Sequence, residues 1–212
     1  MNYLDWRNYV FGMPEGSDPV LNDMPQEGYE IHNNTLLDFL DRAFQDPEIH
    51  LLFSKEQIGI GLNIIFSNCC SDYFEAYLQF DQEGRIIQAI NSLNYLFKNF
   101  FEVYCLAPVK SIGDCTDGRI GFICYMFWDI FALYPESKGI TQKIIDTAIN
   151  HMTRQLYSSN DNVICSAIHG LGEWNPYCKQ TSNIIMNWLE KPTTSNPVVL
   201  EYAAMAQTGC IQ

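Results

Sequence analysis

His169 and Glu173 stand one helical turn apart in the segment NDNVICSAIHGLGEWNP, residues 160–176, and Cys165 stands one turn before the histidine. An imidazole with a carboxylate four residues on can work as a base with its partner, or the two can hold a ligand. Cys165 and His169 have the i, i+4 spacing at which two metal ligands share a helical face. Gly170 and Gly172 would let a substrate approach the backbone closely. With Tyr125, Trp128 and Trp174, the pair His169 and Glu173 outlines an interhelical pocket of the kind an enzyme or a small-molecule binder would use.

A plainer reading competes with it. A metal needs a third or fourth ligand, and His32, His50 and His151 stand isolated, without HExxH, CxxC or a clustered Asp/Glu. No metal, cofactor or catalytic residue is therefore expected. Each glycine inside a helix costs up to about 1 kcal/mol relative to alanine, and close helix–helix approach is the ordinary reason to keep one. The pattern recurs at Gly59/Gly61 and Gly118/Gly121, whereas a catalytic loop would occur once. GLG has neither the GxGxxG spacing nor a preceding strand. On this reading His169 is a packed or interface histidine and Trp174 a wedge near the helix end. The pairs Asp38/Asp41, Asp114/Asp117 and Glu83/Glu102 read as solvated faces in a chain with 25 acids. The vicinal Cys69-Cys70 has no flanking basic residue to stabilise a thiolate.

The elements that would carry these residues are helical. A hydrophobic fraction of 47% with 17% charged residues describes a globular chain, and 212 residues suffice for one domain. Ser54 with Gln57 three residues later is a capping-box pattern opening KEQIGIGLNIIFSNCC, Asn34 can cap LLDFLDRAFQ, and Ser71 can open DYFEAYLQF. Ile86, Ile90, Leu93, Phe97, Phe100 and Tyr104 repeat at 4, 3, 4, 3, 4, which predicts one helix over 83–106. A further helix is expected to run to about Tyr134, another over ITQKIIDTAINHMTRQLY, and one from a cap at Asp161 or Asn162. NPYCKQTSNIIMNWLEK returns the chain, and Asn196 before Pro197 opens the last helix. Residues 12–33 read as an extended connector, and Tyr3, Trp6, Tyr9 and Phe11 before it as a short helix ended by Gly12 that docks on the body.

The starts DNVICSAIHGLG and NPVVLEYAAMAQTG, about 35 residues apart, share a capping residue, β-branched residues and small residues inside the helix. In Asp161, Val163 and Ala167, and again in Asn196, Pro197, Val199 and Ala203, the stretch 117–212 resembles the HEAT/armadillo class of helical repeats. It departs from that class in lacking the arginine often found after the capping turn and in placing Gly170 and Gly172 where alanine or leucine is frequent. The resemblance implies stacked antiparallel helix pairs and a role in protein–protein interaction.

The expected fold is all-α: stacked antiparallel helix pairs in a HEAT-like α-solenoid or a compact multi-helix bundle of roughly nine to eleven helices. One domain spans 1–212, with an acidic aromatic segment 1–33, a helical body 34–212 and HEAT-like pairs from about 117. The net charge of −13 argues against binding to phosphate backbones. IGFICYMFWDIFALY (120–134) is interrupted by Asp129 and is too short for a membrane span. Eight cysteines mostly inside apolar runs, with no basic leader, suit a cytoplasmic protein with free thiols. Residues 1–80 carry thirteen acids and three bases. The expected function is therefore binding of a basic protein partner through Trp6, Tyr9, Asp18, Asp23, Glu27, Glu30, Asp38 and Asp41, as an immunity protein would bind a toxin. A homodimer is compatible with the low charge content.

Overall fold

Polar side-chain caps set half of the α-helix starts among the described residues, and the computed structural model, which describes residues 1–20, 31–113 and 116–211, shows which residues do so. Among the described residues twelve α-helical segments occur and no strand. They are α1 (Tyr3–Phe11), α2 (Asn33–Ala43), α3 (Glu48–Leu52), α4 (Lys55–Phe66), α5 (Glu83–Leu96), α6 (Glu102–Tyr104), α7 (Gly118–Tyr125), α8 (Phe127–Ile130), α9 (Gln142–Gln155), α10 (Asp161–Glu173), α11 (Gln180–Glu190) and α12 (Pro197–Ala206). Ser54 and Gln57 form the full capping box of α4, and Asn196 caps α12 ahead of Pro197. The cap of α10 is Asn160, one residue earlier than expected, because its side chain accepts from the N–H groups of both Asn162 and Val163. His32 takes the place expected of Asn34 at α2.

Three expected helices depart from a single α-helix. The run to Tyr134 ends at Met126 and resumes as the single turn α8, after which Phe131 is extended. The aromatic side chains explain the break: Phe127 packs on Phe66, Phe97 and Phe131 with ring centroids 5.0–5.2 Å apart, while Trp128 turns toward α10. The stretch after Ser71 forms a 3₁₀ helix at Tyr73–Leu78 instead of an α-helix. The stripe over 83–104 is continuous, but Phe97–Phe101 take a π turn between α5 and α6.

One connected set of buried side chains runs from Tyr3 to Ala206. At its centre lies α10, in which every residue from Val163 to Gly172 is buried. A helix apolar all round needs neighbours on every side. Here α7, α8, α9, α11 and α12 all pack on it. Its glycines make that possible. A β-carbon on Gly170 would lie 2.5 Å from Cγ of Trp128, and one on Gly172 would lie 3.0 Å from Cβ of Ala206 in α12. Gly61 plays the same part in α4, where the Phe11 ring of α1 fills the space of a side chain. Gly118 differs: its φ of +69° opens α7 with open space around it, so it serves the turn and not packing. No helix among the described residues is long and apolar enough to cross a membrane.

Candidate functional site

The close approach of α8 to α10 at Gly170 carries the residue after Trp128 to the histidine. His169 and Glu173 share one face of α10, and Asp129 of α8 completes a group whose candidate ligand atoms all lie within 4.8 Å of one another. Asp129 is exposed, Glu173 half-buried and His169 only 3% exposed, so the group forms a step from solvent down to the core. Below it, Nδ1 of His169 lies 2.6 Å from the hydroxyl of Tyr202 in α12, and that hydroxyl lies 3.2 Å from the hydroxyl of Tyr125. Nε2 of His169 is buried and has no hydrogen-bond partner.

Burial holds the His169 pKa below the usual imidazole value, with the Asp129 charge working against that shift. Burial raises the Glu173 pKa, and the nearby Asp129 raises it further. Cys165 is buried, and its thiol is pushed up to about 12, so it offers no thiolate beside His169. The arrangement thus presents a neutral imidazole with one nitrogen engaged, one nitrogen unengaged, and two carboxylates close by.

Of the residues expected to line a pocket, the structure brings together all five, but mostly as packing. Tyr125 lies against His169 with centroids 4.8 Å apart, and Trp128 meets Trp174 edge-on at 6.2 Å. Both tryptophans are buried. Asp129 and Tyr202 are the members that the spacing argument did not reach. Asp129 carried a signal, as the single charge interrupting the apolar run 120–134. Tyr202, 33 residues from His169, carried none.

The described members of the set expected in the first third are buried or have partners within the chain. Trp6 is fully buried, packed among Tyr3, Phe11, Phe39 and Tyr73, so it offers no surface anchor. The amphipathic helix α1 turns its aromatic face inward against α4 and α2, and Arg7 fixes it through Asp46 at 3.0 Å and Glu48 at 2.7 Å. Tyr9 is half-buried against the core. Asp38 and Asp41 both pair with Arg85, at 2.9 and 3.0 Å, and Asp18 accepts from the Val20 N–H. Asp23, Glu27 and Glu30 lie outside the described residues.

Exposed apolar side chains occur elsewhere. His50 of α3 meets the Tyr104 hydroxyl of α6 at 2.9 Å and packs on Phe100, which sets the two short helices side by side. On this pair and just past it stand Leu51, Leu52, Val103 and Leu106, of which Leu51 is 82% and Leu106 69% exposed. One depression is lined by Asp46, His50 and Val103, and another by Glu102, Leu106 and Asp161. No family model matches this chain, and neither a curated protein nor a solved structure matches it.

Proposed function

We propose that the protein acts by binding a basic protein partner through the apolar side chains of α3 and α6. The observation that carries this reading is the exposure of Leu51, Leu52, Val103 and Leu106, with Leu106 lining a depression that contains the carboxylates of Glu102 and Asp161. Exposed apolar groups supply the desolvated centre of an interface, and carboxylates around them select and steer a cationic partner. The chain's net charge of −13 supports the same choice. An immunity protein that neutralises a basic toxin in the cytoplasm has this character, and HEAT-like stacking of residues 117–212 would provide the rigid support.

Affinity capture from native lysate tests the reading, with the wild-type chain and the double variant L51S/L106S as baits. Both leucines are exposed, so the variant keeps its core. The expected result is one basic protein held at near-equal stoichiometry by the wild type and lost by the variant. Equal recovery on both baits would overturn the assignment of the face, and self-association alone would replace it with a homodimer. A second reading, an ion or small-molecule binder, is favoured by the convergence of His169 and Glu173 with Asp129.

A further inference from the structure

The group at the α8–α10 contact contains chemistry that packing leaves unused. A buried ring nitrogen without a partner costs about 1–3 kcal/mol, and two carboxylates held together repel each other. His169 Nε2 is such a nitrogen, and Asp129 and Glu173 are such carboxylates. One positive ion coordinated by all three would relieve both penalties. We propose that Asp129, His169 and Glu173 form a binding site for one divalent transition-metal ion, a role separate from the partner face on α3 and α6.

The geometry suits that ion class. Metal–nitrogen and metal–carboxylate bonds of about 2.0–2.2 Å place ligand atoms roughly 3–3.5 Å apart. The three candidate atoms are already within 4.8 Å, and the exposed side chain of Asp129 is free to close the difference. His169 has the support such a ligand requires: metal-bound imidazoles usually give their second N–H to an oxygen, which fixes the tautomer. In the tautomer whose Nδ1–H donates to the Tyr202 hydroxyl 2.6 Å away, Nε2 presents its lone pair. One imidazole and two carboxylates favour manganese, iron or zinc over calcium or magnesium, which prefer all-oxygen sets. Three protein ligands with the exposed Asp129 at the rim leave the solvent side for water or a further ligand.

Manganese(II) is the probe of choice, because thiolates are the softer ligands and this chain has eight cysteines. The full chain is titrated with Mn²⁺ by calorimetry, with free Mn²⁺ followed by electron paramagnetic resonance, for wild type, D129N, E173Q and Y202F. Asp129 is exposed, so D129N tests the site without risk to folding. The proposal expects one ion per wild-type chain, at least tenfold weaker binding in D129N and E173Q, and about tenfold weaker binding in Y202F through loss of ring orientation. Absence of saturable binding to the wild type would overturn it. So would one-to-one binding that D129N and E173Q both leave unchanged, since the ion would then sit elsewhere.

Discussion

At the scale of single residues, the buried histidines give the fold a pH dependence. His151 is 1% exposed between Phe97 and Trp128, and burial, reinforced by the Arg154 charge, lowers its pKa to about 3. An unfolded chain takes up that proton near pH 6.5, so His151 contributes its full stability above that value and loses it as pH falls toward 3. His169 and His50 shift in the same direction. Asp41 and Glu173, whose pKa values are raised, act the opposite way lower in the range. Urea unfolding between pH 6.5 and 5 should lose up to about 1.4 kcal/mol per pH unit through His151, with a shallower slope in H151Q. A slope unchanged by H151Q would show that this imidazole is not held neutral. His169 and Glu173 were legible in the sequence because i, i+4 spacing on one helix is local information. Asp129 and Tyr202 join them only through tertiary packing, which no single-helix spacing encodes.

At the scale of elements, glycine spacing decides how near the helices come. Alanine is the better helix former by about 1 kcal/mol, yet at Gly170 its β-carbon would meet Cβ, Cγ and Cδ1 of Trp128 at 2.5–2.7 Å. These atoms are the base of a buried indole and cannot swing away. G170A should therefore lose roughly 1–3 kcal/mol by overpacking. Gly84, exposed in the first turn of α5 with nothing within 4 Å of an added β-carbon, is the internal control. G84A should gain about 0.5–1 kcal/mol, and equal effects of the two changes in denaturant melts would refute the packing argument. The caps of α4 and α12 and the stripe of α5 followed from residue type and period, whereas α2 and α10 are capped by His32 and Asn160, neighbours of the expected residues. The break at Met126, the 3₁₀ helix at Tyr73–Leu78 and the π turn at Phe97–Phe101 arise from aromatic side chains competing for one core, and a one-dimensional pattern does not record that competition.

At the scale of the whole molecule, charge separates stability from binding. A net charge of −13 repels itself in the compact state, while ion pairs such as Arg85 with Asp38 and Asp41 recover only part of that cost. Adding salt should raise the thermal midpoint of the isolated chain by a few degrees, and a midpoint that falls instead would show that its ion pairs outweigh the repulsion. The all-helical architecture was legible from composition and periodicity. The position of the exposed apolar face was not: the aromatic residues of the first third satisfy α1's own docking, and Leu51 and Leu106 are left outside by helices too short to bury them.

The salt series on the complex with the captured partner tests the central claim most directly. Steering by a carboxylate-rimmed face predicts a dissociation constant that rises steeply from low to physiological and higher salt, with the L51S/L106S penalty persisting at every concentration. An affinity indifferent to salt, or a double variant that binds as well as the wild type, would contradict it.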